Sequence, residues 1–405
     1  MNRLAKVSIV SLSVIIFLYS GLGYVLKAND DKSFRSLSVF GEVLQHIQED
    51  YVDEPNMTLV TAGALHGLLE SLDPQSGYLS AREYADYRDR IKNAQHGDAG
   101  MTISKRYGYI VIVSVVPDGP AEKAGLRDGE ILEAIAGFGT RDMSVGQATM
   151  LLQGAPGTPV KVAVVRRGKT EPQEMSINRA VIGPQHVVAD RVAEGVGYVR
   201  LPAMEPLDVT ELRDKLLQFD KQGLHKLVLD LRDCTRGQVP DAIAAAQLFL
   251  SSGKITSLEG QTVPRKEFSA EPDKVVWRAP VDVLISSSTS GASEVLAAAI
   301  KGNKRGEVLG ERTFGTASEQ KTIPLDDGGA VILTVAFYST PEGKSIVEEG
   351  VAPTVEVHAK SQDPDASTDT EEPPPLGPGQ LPTSDDPVYN KALELLKGGE
   401  TSKAA

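Results

Sequence analysis

The stretch Val196-Gly197-Tyr198-Val199-Arg200-Leu201, the later segment Leu212–Phe219 and then Leu227-Val228-Leu229-Asp230-Leu231 decide the fold class. Two short apolar runs flank a segment with apolar residues at helical spacing, so the order reads strand, helix, strand. The pattern continues downstream. Ala242–Leu250 reads as a second helix and Val281–Ile285 as another short buried strand. Strands and helices in alternation form layers around a sheet, so residues 179–358 are expected to be an α/β core.

Outward from this core the character changes. Upstream, residues 97–178 alternate between short β-like runs, such as Tyr109–Val116 and Val160–Val165, and glycine turns. Residues 30–96 read as helical, with Leu37, Phe40, Val43, Leu44 and Ile47 at helix spacing and a second set at Val60, Leu65, Leu68 and Leu69. The turn Ser71-Leu72-Asp73-Pro74 breaks that pattern. Downstream, residues 359–386 are acidic and proline-rich with almost nothing to bury, and read as an extended linker. Residues 387–405 hold a short amphipathic helix at Val388–Leu396. No internal repeat is present.

Residues 1–29 are a membrane anchor or signal. Arg3 and Lys6 precede an apolar run of 20 residues, Val7–Leu26. At ~1.5 Å per residue that run spans ~30 Å, one bilayer core. Positive charge in front keeps that end cytoplasmic and sends the rest outward. A cleaved signal peptide is the rival, but the run is long for one and no A-x-A site follows. The expected location is membrane-anchored, facing the periplasm or extracytoplasmic space of a bacterium.

Composition narrows the partners. The 405 residues carry a net charge of −13, which argues against nucleic acid. Cys234 is the only cysteine, so no intramolecular disulfide forms. The six histidines are scattered and none falls in a metal-binding spacing, so neither metal nor other cofactor is expected.

Residues 97–178 resemble a PDZ domain. Ala99-Gly100-Met101-Thr102-Ile103 stands where such domains receive a terminal carboxylate, and Gly100 frees the backbone there. The strand that follows can accept an incoming chain by β-augmentation. Gly119-Pro120-Ala121-Glu122-Lys123-Ala124-Gly125-Leu126, Asp128-Gly129-Glu130-Ile131-Leu132 and Gln153-Gly154-Ala155-Pro156-Gly157-Thr158 follow in the order of the PDZ pattern. The bland alternative is a small β-domain that only packs.

From about residue 35 to 358 the chain resembles the C-terminal processing peptidases, or tail-specific proteases. The resemblance rests on Ser71-Leu72-Asp73-Pro74, Leu229-Asp230-Leu231-Arg232, Ala292-Ser293-Glu294, Thr313-Phe314-Gly315, Gln320, Thr340-Pro341-Glu342-Gly343 and Gly350-Val351-Ala352-Pro353. It implies a PDZ-like β-rich module inserted between a helical N-terminal region and a ClpP/crotonase-like α/β peptidase core. It also implies protein C-terminal tails as partners, and either homo-oligomers or assembly with an active relative.

The family works by a Ser/Lys dyad in which a lysine in an apolar site deprotonates a serine hydroxyl. With Glu294 fixing the register, the serine position is Gly291 and the lysine position Thr316, still 25 residues apart (291 to 316). Gln320 holds the place of a glutamine that orients the lysine. Where the family has a glycine supplying an oxyanion-hole N–H, this chain has Arg236, with Gly237 after it. Arg236 is expected to alter the backbone angle and aim that N–H elsewhere.

Glycine carries no nucleophile, and a threonine hydroxyl is not a base at neutral pH. Losing both halves of such a unit leaves none of the covalent route. The chain therefore reads as a pseudopeptidase that binds tails without cutting them. Two alternatives stand beside it. One is an active serine endopeptidase with relocated chemistry, using Ser290 or Ser293 (or Ser288) with Lys301, Lys304 or Lys321. The other is a membrane-anchored scaffold. Cys234 reads as a buried, inert thiol.

Overall fold

The computed structural model describes residues 35–92, 96–141, 143–358, 377 and 379–398. The apolar run Val7–Leu26 and most of the acidic linker lie outside the described residues. Among the described residues no helix is long and apolar enough to cross a membrane.

Two compact units divide between Ala64 and Leu65. The first contains a helix over 35–50, α1, and the opening turns of α2 (Met57–Glu70). Leu37, Phe40 and Val43 on α1 are exposed.

The second unit opens with β1 (Gly77–Leu79) and α3 (Ala81–Lys92). The Asp73 carboxylate explains the Ser-Leu-Asp-Pro turn. It accepts from the N–H groups of Gln75 and Ser76 at 2.8 Å each and from the Thr334 hydroxyl at 3.0 Å. This Asx-type turn clips β1 to a strand more than 250 positions away in sequence.

Next comes a β-rich module built from β2 (Met101–Arg106), β3 (Tyr109–Val115), α4 (Pro120–Lys123), β4 (Ile131–Ile135), β5 (Phe138–Gly139), α5 (Val145–Leu152), β6 (Pro159–Val165) and β7 (Gln173–Asn178). Its sheet runs β2-β3-β4-β6-β7, with β5 on β4, so β2 is an edge strand. Alternate residues Ile110 and Ile112, and Val160, Val162 and Val164, fill one apolar core. Ser144 and Gln147 form a capping box that starts α5.

The core follows as β8 (Val188–Ala193), β9 (Val196–Arg200), α6 (Pro206–Lys221), β10 (Lys226–Asp230), α7 (Val239–Gln247), β11 (Lys254–Glu259), β12 (Lys266–Ser269), β13 (Val281–Ile285), α8 (Ala292–Gly302), β14 (Val308–Gly310), β15 (Ser318–Pro324), β16 (Ala330–Ser339) and β17 (Val355–Glu356), and α9 (Pro387–Gly398) closes the chain. The main sheet is β17-β14-β13-β10-β9-β8, parallel except for β8. A second sheet runs β1-β16-β11-β12, with β15 on β16.

The main sheet is covered on both faces, which is why its strands are apolar throughout. Leu227 and Leu229 of β10 face the cluster that holds Leu212, Leu216, Phe219 and the residues of α7 and α8. Val228 between them faces the opposite way, onto Val388, Tyr389, Ala392 and Leu396 of α9. Helix α8 is buried from Ala292 to Ile300, and its alanines let it lie close to α7.

Three local differences from the sequence reading have physical causes. Helix α6 begins at Pro206 rather than Leu212, because a proline suits a first turn and the Asp208 carboxylate accepts the Glu205 N–H at 3.2 Å. Helix α7 ends at Gln247 rather than Leu250, because Leu248 and Phe249 switch to bonds three residues back, onto Ala245 and Ala246. Helix α8 was masked by its serine- and glycine-rich start.

Candidate active site

Strand β13 ends at Ile285, a turn carries the chain to Gly291, and α8 starts immediately. Gly291 sits at φ 67° and ψ −122°, a conformation side chains rarely adopt. Strained strand-to-helix turns of this kind present nucleophiles in hydrolases. A Cβ placed on Gly291 would have Thr316 Oγ1 at 3.9 Å as its only neighbour within 4 Å. The fold thus brings Gly291 and Thr316 face to face across open space.

Glu294 holds them there. Its side chain is fully buried. One carboxylate oxygen accepts from Gly291 N–H and Thr316 N–H, both at 2.8 Å. The other accepts from Gly315 N–H at 2.6 Å and from the Thr313 hydroxyl at 2.5 Å. Burial pushes this carboxyl up, and the four donors pull against it. In the sequence Glu294 only fixes register; in three dimensions it fastens both reactive positions. No local signal reveals this, because the partners lie about twenty residues downstream.

Gln320 lies exposed on β15, its amide donating to Ser318 Oγ at 3.2 Å. The strand bulges between Glu319 and Gln320.

Arg236 lies outside the positive-φ region. Its carbonyl accepts Met204 N–H at 2.8 Å. Gly237 takes φ 118°, with its Cα pressed against the Met204 carbonyl, where a Cβ would lie 2.0 Å away. Among the described residues, the N–H groups of Arg236 and Gly237 donate to no acceptor.

Several of the remaining polar groups nearby are engaged. Ser293 is buried and donates to the carbonyls of Cys234 at 2.6 Å and Ser290 at 2.9 Å. Ser288 donates to Asp128 at 3.0 Å. Ser290 is buried, and its N–H reaches the Cys234 carbonyl at 3.3 Å. Lys301 donates to the Ala352 carbonyl at 2.6 Å, while Lys304 and Lys321 are exposed. Cys234 is fully buried, and burial pushes its thiol up to about 12, which keeps it protonated. Among the described residues no group of three His, Cys, Asp or Glu could hold a metal ion.

The segment Ala99–Ile103 lies at the start of β2. Ala99 is buried, and Gly100 adopts φ 77° with Pro120 so close that a Cβ would lie 2.8 Å from its ring. The Gly100 N–H donates to Asp98 Oδ1 at 2.6 Å. The β2 edge contacts the site loops. The hydroxyls of Thr102 and Thr235 are 2.7 Å apart. The Arg106 guanidinium donates to the Phe314 carbonyl at 2.8 Å and lies over its ring at 4.2 Å. Asp98 and Arg106 were missed in the sequence. An Asp two residues before a turn glycine is the only signal for the former.

The Asp-Leu-Arg segment explains itself structurally. Asp230 is buried and accepts from Tyr198 at 2.8 Å, while Arg232 is forked between Asp230 at 2.6 Å and Asp386 at 2.7 Å. Asp386 also caps α9 by accepting Tyr389 N–H at 3.0 Å. The motif thus anchors the C-terminal helix to the turn that leads into Arg236.

The chain is similar to known proteins over both of these regions. Residues 195–357 match peptidase family S41, and residues 111–166 match the PDZ domain. The chain is 31% identical to the carboxy-terminal-processing protease of Bartonella bacilliformis over 338 residues, 81% of this chain and 76% of that protein. It is 30% identical to the carboxy-terminal processing protease CtpA of Bacillus subtilis over 336 residues, 82% of this chain and 71% of that protein. Among solved structures, the photosystem II D1 C-terminal processing protease superposes with a TM-score of 0.68 at 28% identity, covering 79% of this chain and 92% of that one. With a peptidase S41 core, a PDZ domain and relatives at 30% identity or more over most of both chains, the chain belongs to the C-terminal processing protease family.

Proposed function

We propose that this chain binds the C-terminal tails of other proteins and does not cleave them. One observation carries the reading: the two positions that the fold sets face to face are Gly291 and Thr316, which supply neither nucleophile nor base. The relatives are named for C-terminal processing, which supports tails as the bound chemistry. The edge strand β2 beside the site supports capture of an extended chain by β-augmentation. Relocated catalysis through Ser293 or Ser288 has little to stand on, since those hydroxyls are already donating elsewhere.

In the same reading, the run Val7–Leu26 anchors the chain with its globular part in the periplasm or another extracytoplasmic space. Assembly with copies of itself or with an active relative would use the exposed Leu37, Phe40 and Val43.

The test is fragment production from an unfolded protein by the natural chain and by the double variant Gly291→Ser, Thr316→Lys. The natural chain should be silent and the double variant should cut, because the space between the two positions is open. The serine at φ 67° costs roughly 1–3 kcal/mol, which lowers the yield of active protein without blocking the chemistry. Cutting by the natural chain, abolished by Ser290→Ala or Ser293→Ala, would overturn the reading. Silence of both would favour a scaffold.

A further inference from the structure

We propose that Arg236 receives the terminal carboxylate of a bound tail, in a cavity between the PDZ domain and the turn that follows β10. The inference rests on the tail-binding reading and names the residue that selects a free chain end.

The loop of the PDZ domain that would ordinarily offer N–H groups to a carboxylate is compromised. The Gly100 N–H already donates to Asp98 at 2.6 Å. A second carboxylate there would face the Asp98 charge. Two like charges ~4 Å apart repel by about 1–4 kcal/mol between bulk water and a protein surface.

A cavity of about 410 Å³ lies on the other side of the first PDZ strands. Thr102 and Val116 line it from the PDZ domain, Val187 and Pro202 from the core, and Thr235 and Arg236 from the turn. The apolar part of that wall suits the last side chains of an unfolded tail, and the cationic part suits its charge.

Three arginines line this cavity, and their states differ. Arg200 pairs with Asp233 at 3.2 Å, and Arg232 is held by Asp230 and Asp386. Among the described residues, Arg236 makes no ion pair within 4.0 Å, and its main-chain N–H has no acceptor. The acids that face it do not occupy it. Asp208 feels its charge without contacting it, and Asp233 is taken by Arg200. The lining histidine, His186, lies 3.6 Å from Glu211. A guanidinium on a half-buried wall binds a carboxylate through two parallel N–H bonds, and an unbonded backbone N–H adds a third donor. The arginine that replaces the oxyanion glycine thereby converts a site for a transient anion into one for a permanent anion.

The test uses the full chain in detergent and a fluorescein-labelled, unstructured decapeptide ending Ala-Val-Val, made as free acid and as C-terminal amide. Anisotropy titrations should give at least tenfold tighter binding of the acid to the natural chain. Arg236→Ala should bring the two peptides within about twofold, and Arg236→Lys should keep part of the preference, with unchanged melting as evidence of folding. If Arg236→Ala keeps the full preference while Asp98→Asn strengthens binding, the carboxylate is read at Gly100 and the proposal is overturned while tail binding stands. If the natural chain binds neither peptide, or both equally, tail recognition by a free end fails as a whole.

Discussion

The Gly291–Thr316 site and the Asp98–Ile103 loop fail, as family machinery, in opposite ways. In the core the frame is complete: Glu294 fastens Gly291, Gly315 and Thr316 with bonds of 2.6–2.8 Å, yet nothing reactive hangs on it. In the PDZ loop the glycine turn and the edge strand are in place, yet their ligand-facing groups are already bonded within the chain, Gly100 to Asp98 and Thr102 to Thr235. Frame and facing positions are supplied by different residues here: the buried Glu294 carboxylate holds the turn and the 313–316 segment together, and Gly291 and Thr316 stand at the positions it fastens.

The largest way to break this comparison is Glu294→Ala. It strands three N–H groups and one hydroxyl without an acceptor in a buried site. Each unsatisfied buried group costs about 1–3 kcal/mol, and removing a buried charged partner typically costs about 3–5 kcal/mol in all. Denaturant unfolding of the natural chain and the variant should show a loss in that range. A loss under about 1 kcal/mol would mean that the turn and the 313–316 segment hold each other without it.

Asp282 sharpens the point by contrast. It too is a buried acid, but it accepts a single bond, from Glu307 N–H at 3.2 Å, and its second oxygen has no partner. Burial, with the Glu307 charge, pushes it up to about 6. A carboxyl raised in the folded state favours folding below its unfolded value of about 3.9, and that contribution is lost as pH rises toward and through about 6. Asp282→Asn should therefore raise stability at pH 7 by about 1–3 kcal/mol, and its amide can point at Glu307. At pH 4 the gain should vanish. Thermal melts at the two pH values decide it, and an equal gain at both would exclude titration as the cause.

How much of this was legible in the sequence follows from range. Strands β9, β10 and β13 were readable because short stretches rich in apolar residues report local burial. The juxtaposition of Gly291 and Thr316 was not a property of spacing alone, since it depends on Glu294 bonding across to the segment after β14. The α8 helix was hidden by its serine- and glycine-rich start, although tertiary burial of its alanines overrides that local signal. Arg236 was visible as a departure from a glycine pattern. That it lines a cavity whose other arginines are paired could only come from the fold. The self-occupied PDZ loop, likewise, hinges on a rotamer of Asp98.

The smallest effect probes how firmly the PDZ edge is held. The hydroxyls of Thr102 and Thr235 form a single bond between neutral groups, and Thr102→Val removes it while keeping shape and β-branching. A net loss of about 1 kcal/mol is expected for such a bond. Arg106 still grips Phe314 through its carbonyl and ring, so the strand should loosen without detaching. Because ~1.4 kcal/mol is a factor of ten in an equilibrium, the opening that exposes β2 amides should become about fivefold more populated, and hydrogen exchange at Met101–Arg106 should quicken by that factor. Global stability should fall by no more than the same ~1 kcal/mol. Unchanged exchange would locate the hold on β2 in Arg106 instead. Exchange quickened across β3 and β4 as well would mean that the PDZ domain opens as one body, and that this hydroxyl pair is its latch.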